Sequence, residues 1–205
     1  MKRNYQAELE EQLRLIRQEE KVPKLLLHSC CAPCSSYVIE YLSDYFEITV
    51  YYYNPNLTYE AEYQRRAAEQ KRLIAQMPAK HPVTYLEGNY EPEVFALAVR
   101  GYENEPERGS RCDICFLLRL SGAAREAEKG GYPYFATTLT ISPQKNADQV
   151  NAAGVRAQQT HPGSVYLVSD FKKKNGYLRS LELSKQYGLY RQDYCGCVYS
   201  RREQI

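Results

Sequence analysis

The chain has no tryptophan, no apolar run as long as a membrane-spanning helix, and only a small excess of positive charge. Because 27 lysines and arginines stand against 25 acidic residues, any contact with a nucleic acid must come from a local basic patch. Residues 1–21 are charged and lack the apolar core of a signal peptide. We therefore expect a cytoplasmic protein with no membrane partner.

The chain also lacks both of the common glycine-rich loops that hold nucleotide phosphates. It contains neither G-x-G-x-x-G nor G-x-x-x-x-G-K-[ST]. In the absence of tryptophan, aromatic contacts fall mainly to 20 tyrosines, which we interpret as fillers of core and surface rather than as platforms for bases. The chemistry of the protein must therefore come from other residues.

The cysteines are the most informative residues that the chain does contain. There are seven of them, an odd number, and thiols of a cytosolic protein are normally kept reduced, so a disulfide scaffold is a poor explanation. Three groups far apart in the sequence indicate metal or redox chemistry that folding must assemble. The groups are Cys30, Cys31 and Cys34, then Cys112 and Cys115, then Cys195 and Cys197.

Short apolar runs alternate with helical patterns along the whole chain. The alternation predicts an α/β fold in which a parallel sheet is flanked by helices, as a single domain over residues 1–205. Residues 1–21 are predicted to supply an amphipathic helix that packs on this domain. The predicted strands are residues 24–28, 48–56, 83–88 and 165–170, with a threonine-rich strand in YFATTLT.

The first thiol group lies where the strand KLLLH ends and a helix begins. Open parallel sheets usually build their ligand sites at this position. A helix N-terminus also carries partial positive charge, which favours the thiolate that binds metals and acts as a nucleophile. Pro33 suits the first turn of such a helix. One buried cysteine could be a simple apolar residue, but three adjacent ones are better explained by a functional site.

The other two thiol groups leave several kinds of chemistry open. Cys112 and Cys115 are three residues apart near a helix start, so they can bind one metal or cluster, or form a redox pair. Cys195 and Cys197 flank a glycine and can ligate a metal or close a small disulfide. Seven thiols can fill one site of four and one open site of three, or leave a redox disulfide and one free thiol beside the site of four.

Several charged residues are candidates for binding the substrate. Ser142 and Pro143 predict the start of a helix, which places Lys145 in its first turn, where a bound anion would favour a cation. The run Lys172, Lys173 and Lys174, with Arg179 nearby, is a plausible contact for an RNA backbone, and a solvated surface is the alternative. His28 lies two residues before Cys30, and we interpret it as a structural histidine rather than a metal ligand.

Five segments together resemble the cobalamin-independent epoxyqueuosine reductase family, QueH. They are HSCCAPC, RCDIC…RL, TTLTISPQK, DFKKKNG and LSKQYGLYRQDYCGC, in this order between about residues 24 and 200. The resemblance implies a fold similar to the adenine-nucleotide alpha-hydrolase-like (HUP) group. It implies the last step of queuosine biosynthesis, in which the epoxide of epoxyqueuosine at the wobble position of tRNA is reduced to an alkene.

The same resemblance implies roles for the thiols. Cys30, Cys31, Cys112 and Cys115 would ligate a [4Fe–4S] cluster. Cys195 and Cys197 would be redox-active or would help to hold a second metal ion, iron or zinc. We expect Cys34 to act with Cys195 and Cys197 on the substrate side.

The reaction also needs a proton donor and an electron donor. Asp113, Asp193 and His28 are candidates for the proton donor because they lie near the thiols in the sequence. The electron donor is unidentified. Two other functions remain open: a zinc-stabilised RNA-binding module without catalysis, and a metal-free thiol–disulfide oxidoreductase.

Overall fold

Five parallel strands form the centre of the structure, a computed structural model that describes residues 3–18 and 20–200. The sheet order is β3-β2-β1-β4-β5, and every neighbouring pair is parallel. This confirms the predicted α/β fold and is compatible with a HUP-like arrangement. The strands are β1 (Lys24–His28), β2 (Glu47–Tyr52), β3 (Val83–Glu87), β4 (Tyr134–Thr137) and β5 (Val165–Tyr166).

Seven α-helices are found within the described residues, and most of them connect consecutive strands. None of these helices has both the length and the apolar composition that a membrane span requires. The helices are α1 (Tyr5–Ile16), α2 (Ala32–Leu42), α3 (Glu60–Gln76), α4 (Pro92–Ala98), α5 (Ser110–Lys129), α6 (Ala147–Thr160) and α7 (Gly176–Gln186). Two short 3-10 helices cover Thr138–Ile141 and Val198–Ser200.

The central strand β1 is buried on both faces. Leu25 and Leu27 pack into a core cluster that includes residues of α1 and α2, whereas Leu26 packs into a second cluster with residues of α5 and α6. All three leucines are inaccessible to solvent. Helices on both faces of a parallel sheet explain why this strand is a continuous apolar run rather than an alternating one.

The strand order reverses at β1, which lies between β2 and β4. In open parallel sheets, a crevice forms beyond the carboxyl ends of the two strands at such a point, and ligands bind there. Cys30 and Cys31 are the second and third residues after β1, and Thr138 directly follows β4. The fold therefore places the first thiol group at the edge where a site is expected.

The region after β4 differs from the sequence-based prediction. The strand ends at Thr137, whose hydroxyl accepts a hydrogen bond from the backbone of Leu139 and starts the short 3-10 helix. The next helix does not begin at Ser142 and Pro143. Asn146 caps it instead, because its side chain accepts the backbone N–H of Asp148. Lys145 accordingly lies before α6 and not in its first turn.

Other boundaries also differ from the prediction. The N-terminal helix covers Tyr5–Ile16 only, and the remainder of residues 1–21 includes positions 1, 2 and 19, which lie outside the described residues. The second strand ends at Tyr52 rather than at residue 56, and the fifth pairs over two residues rather than six. Helix α7 was not predicted. The extent of the domain over residues 1–205 stays a prediction.

A glycine allows α6 to approach the last strand closely. Gly154 is buried, and a Cβ atom at this position would collide with the ring of Tyr166. We expect Gly154→Ala to lower the free energy of unfolding by about 1–3 kcal/mol, because overpacking outweighs the gain of about 1 kcal/mol in helix propensity. Denaturant unfolding would measure this, with Gln159→Ala on the exposed side of the same helix as control. An increase in stability for Gly154→Ala would contradict the close packing.

Candidate metal centre

The first thiol group forms a compact cluster at the start of α2. The Sγ atoms of Cys30, Cys31 and Cys34 all lie within 4.8 Å of one another, and those of Cys30 and Cys31 are 3.7 Å apart. Cys31 occupies the N-cap position, where its side chain makes no capping hydrogen bond. Its sulfur therefore remains available to a ligand, and three converging sulfurs form a donor set that suits a thiophilic metal.

The electrostatics of this group favour one thiolate among three sulfurs. The thiols of Cys31 and Cys34 hydrogen-bond to Cys30 and hold its pKa well below the usual range, although burial acts in the opposite direction. The same interaction with Cys30, together with burial, raises the pKa of Cys31 to about 12 and that of Cys34 well above its usual value. A metal would replace the shared protons by binding all three sulfurs as thiolates.

The second and third thiol groups come together around a smaller cavity. Cys112 and Cys115 lie in the first turns of α5, as predicted, and line this cavity together with Cys195 and Cys197. Helix α4 closes it on one side, where Phe95 packs with Cys115 and Cys197. Burial raises the pKa of Cys115 to about 12 and also raises the pKa of Cys112 and Cys197.

The backbone also contributes to the second group. The N–H of Arg108 donates to Cys112 Sγ over 3.3 Å, and Arg108 has a positive φ of 74°. Its guanidinium donates to the side chain of Gln144 on the other side of the cavity. The loop before α5 is therefore held in an unusual conformation that directs an amide group to a sulfur.

A buried arginine holds the segment that carries Cys195 and Cys197. Arg66 donates to the backbone carbonyls of Cys195 and Tyr194 over 3.2 and 3.4 Å, and it pairs with Glu62 at 2.6 Å. Gly196 has a φ of +114°, and a Cβ atom there would collide with Leu57. The Cys-Gly-Cys spacing is thus a requirement of backbone geometry as well as of chemistry.

The first and third thiol groups meet at a second cavity of about 400 Å³, which is larger than the one lined by Cys112 and Cys115. Cys30, Cys34 and Cys195 line it, and Cys195 also lines the smaller cavity. Polar and charged residues make up much of the remaining wall. They include Arg66, Glu107, Arg119, Lys145, Gln192 and Asp193. The cavity offers space for a small polar group next to sulfurs from two distant parts of the chain.

Two cations lie close to these sulfurs. Burial acts against the charge of Lys145, but Cys195, Cys30 and Cys34 outweigh it and raise the pKa of this lysine. Arg119 is 1% exposed and donates to Asn54 Oδ1 over 2.6 Å. The sequence predicts Lys145 as a cation in the first turn of a helix, whereas the structure places it beside thiols. Arg119 was not predicted, although its spacing of four residues from Cys115 was an available signal.

The candidate acids and the histidine are in different environments. Asp193 is exposed at the larger cavity and lines it, whereas Asp113 is exposed on α5 and is not among the residues lining the two thiol cavities. His28 is fully buried, with Nε2 3.1 Å from the carbonyl of Tyr53 and Nδ1 2.8 Å from Thr137 Oγ1. Burial and Arg119 lower the pKa of His28 to about 3, so it is a neutral structural histidine.

The lysine run lies along a separate groove of about 720 Å³ that Lys145 also lines. Lys172 pairs with Asp170 at 2.8 Å, and Lys174 pairs with Glu10 at 2.6 Å. Lys173 is exposed and forms no ion pair with another described residue. The other basic residue of this region, Arg179, is bound by two carboxylates, those of Glu40 and Glu182.

Comparison of the sequence with known proteins found a matching family model and several similar proteins. The family model "Epoxyqueuosine reductase QueH" matches residues 25–203. A protein of that name from Streptococcus pyogenes serotype M1 is 43% identical, covering 98% of this chain and 79% of the relative. One from Staphylococcus epidermidis is 42% identical over 98% of this chain and 86% of its own length. A more distant one from Thermotoga maritima is 32% identical over 87% of this chain. The chain belongs to the QueH epoxyqueuosine reductase family.

Proposed function

We propose that this protein reduces the epoxide of epoxyqueuosine in tRNA to the alkene of queuosine. The reaction consumes two electrons and two protons, breaks both C–O bonds of the epoxide and releases its oxygen as water. The observation that carries the proposal is that the first and third thiol groups meet at one polar cavity, while Cys195 also lines a smaller cavity with the second group, in a chain of the QueH family. The electrons come from an unidentified electron donor.

The donor set of the site fits an iron–sulfur cluster, and we assign its ligands as Cys30, Cys31, Cys112 and Cys115. Cys30 and Cys112 pack against the same hydrophobic cluster, which supports their placement in one centre. Both pairs lie at helix N-termini, whose partial positive charge favours thiolate ligands. A bound [4Fe–4S] cluster would supply electrons one at a time.

Cys34, Cys195 and Cys197 form the remaining set, and we assign them to the substrate side. Cys34 and Cys195 both line the larger cavity, so a group bound there meets their sulfurs directly. They would hold an open metal ion, iron or zinc, or Cys195 and Cys197 would act as a redox pair. A metal ion held in this way would polarise a C–O bond as a Lewis acid.

The geometry also offers a different division of the sulfurs, into groups of three and four. Cys30, Cys31 and Cys34 are mutually close, and the other four thiols line the smaller cavity. In that division the four-thiolate centre would consist of Cys112, Cys115, Cys195 and Cys197. The two divisions agree on Cys112 and Cys115 and differ on Cys30, Cys31, Cys195 and Cys197, so one residue of each pair, Cys31 and Cys197, is enough to decide between them.

Single serine variants of these cysteines therefore distinguish the assignments. Anaerobically reconstituted wild-type protein is expected to bind about four iron and four sulfide in its cluster. Cys31→Ser and Cys115→Ser should lose the cluster. Cys34→Ser and Cys197→Ser should keep the absorbance of the cluster at about 400 nm yet fail to form queuosine-tRNA. Iron, sulfide and product analysis on the same samples would measure both effects.

The reverse pattern, with the cluster kept in Cys31→Ser and lost in Cys197→Ser, would transfer it to the four thiols of the smaller cavity. Stoichiometric zinc and no iron in the wild-type protein would favour a zinc-stabilised RNA-binding module. A protein that binds neither metal would favour a thiol–disulfide oxidoreductase.

Asp193 is the better-placed of the two predicted carboxyl proton donors, because it lines the larger cavity and Asp113 does not. We expect Asp193→Asn to lower the rate of the single-turnover reaction by about 10²–10⁴-fold, the usual contribution of a general acid. Asp113→Asn is the matched control and should react at the wild-type rate. Equal rates for Asp193→Asn and wild type would remove Asp193 from the mechanism.

The lysine groove is assigned to the backbone of the tRNA, since it adjoins the cavity through Lys145. Lys173 has no carboxylate partner among the described residues, so its charge is the most available one. We expect Lys173→Gln to weaken tRNA binding and to reduce the slope of log K against log salt by about 1. Lys80→Gln is the control, because Lys80 is exposed near the amino end of β3, at the opposite edge of the sheet. An unchanged salt slope for Lys173→Gln would assign the run to the solvated surface.

A further inference from the structure

A buried positive charge without a carboxylate partner lies behind the thiols. Arg119 is 1% exposed and forms no ion pair with any carboxylate of the described residues. The Nε atom of Arg119 also has no hydrogen-bond partner among the described residues. A buried charge of this kind is costly unless an opposite charge compensates it. The observed partner of its Nη2 atom is the neutral side chain of Asn54.

The surroundings of Arg119 indicate where the compensating charge is. Cys112, Cys115 and Arg119 are spaced three and four residues apart on α5, so they share one face of the helix. Arg119 also lines the larger cavity together with Cys30 and Cys195. Burial acts against its charge, but the sulfurs of Cys115, Cys30 and Cys195 raise its pKa. Each of these neighbours becomes anionic when it binds a metal.

Asn54 fixes the guanidinium in this position. Its Oδ1 atom accepts from Arg119 over 2.6 Å, and its Nδ2 atom donates to the carbonyl of Ser29 over 3.0 Å. Ser29 directly precedes Cys30, so one buried amide connects the cation to the backbone of the first thiol group. The three other cations of the cavity wall differ from Arg119, because Arg66 is paired with Glu62, Lys145 is partly exposed and Arg191 is exposed.

We propose that Arg119 is the internal counter-charge of the iron–sulfur group and that its charge raises the reduction potential of that group. The inference rests on the proposed function. When the group accepts one electron from its donor, it gains one negative charge and Arg119 is chemically unchanged. A fixed cation in a region of low dielectric constant stabilises this reduced state more than the oxidised one. Arg119 is thus a positioning and tuning residue that acts through the thiolates.

The test compares reconstituted proteins that differ at a single arginine of α5. Arg119→Gln removes the charge, Arg119→Lys retains it, and Arg125→Gln removes an exposed charge from the same helix as a matched control. Redox titration should show Arg119→Gln about tenfold harder to reduce, which corresponds to about 59 mV for one electron. Arg119→Lys should recover most of that shift, and Arg125→Gln should match the wild type. Competition with a chelator should show iron held about tenfold less tightly in Arg119→Gln.

A second variant covers the case in which Arg119→Gln does not fold. Asn54→Asp has nearly the same shape and places a carboxylate beside the guanidinium, so it should lower the potential in the same direction. An unchanged potential in loaded Arg119→Gln, or in loaded Asn54→Asp if the former is unfolded, would overturn the inference. A wild-type protein that takes up no iron would instead show that the proposed function is wrong, and the counter-charge role would fall with it.

Discussion

The carboxyl end of β1 is the point on which the arrangement of the site depends. The strand is buried on both faces and has a parallel neighbour on each side, so its end cannot move without disturbing the sheet. Cys30 is the second residue after this strand, and its backbone N–H donates to Thr138 Oγ1 beyond β4 over 3.4 Å. Asn54 beyond β2 binds the carbonyl of Ser29. Three strand ends are therefore fixed to one another at the place where the thiols begin.

Burial and helix geometry act against each other at the sulfurs. The thiols are removed from water, which disfavours ionisation and raises the pKa of Cys115 to about 12. Helix N-termini and the cations Arg119 and Lys145 favour the thiolates. Hydrogen bonds from Cys31 and Cys34, together with these cations, hold the pKa of Cys30 well below its usual range although burial acts in the opposite direction. Metal binding at such a site must displace protons from the other ligands, so its affinity depends on pH.

Much of the architecture could be predicted from the sequence because it depends on local patterns. The apolar run at residues 24–28 identifies the central strand, and the cysteines mark the site by their residue type. The start of α6 was placed wrongly because Ser142 and Asn146 are both good capping residues, and only the 3-10 turn after Thr137 decides between them. Arg66 and Arg119 were missed because an arginine in an amphipathic helix is usually exposed. Their burial depends on contacts with Tyr194, Cys195 and Asn54, which are distant in the sequence.

The three thiol groups are positioned by three different physical means. The end of a buried strand positions the first group, and the first turns of α5 position the second. The third lies on a loop after α7, where Arg66 binds the carbonyls of Tyr194 and Cys195 and the backbone N–H of Thr58 donates to Gly196. These bonds use main-chain atoms, so they fix the path of the loop without occupying either sulfur. Arg66, paired with Glu62 on α3, thus connects that helix to the last two thiols, and the site is complete only when this loop is bound.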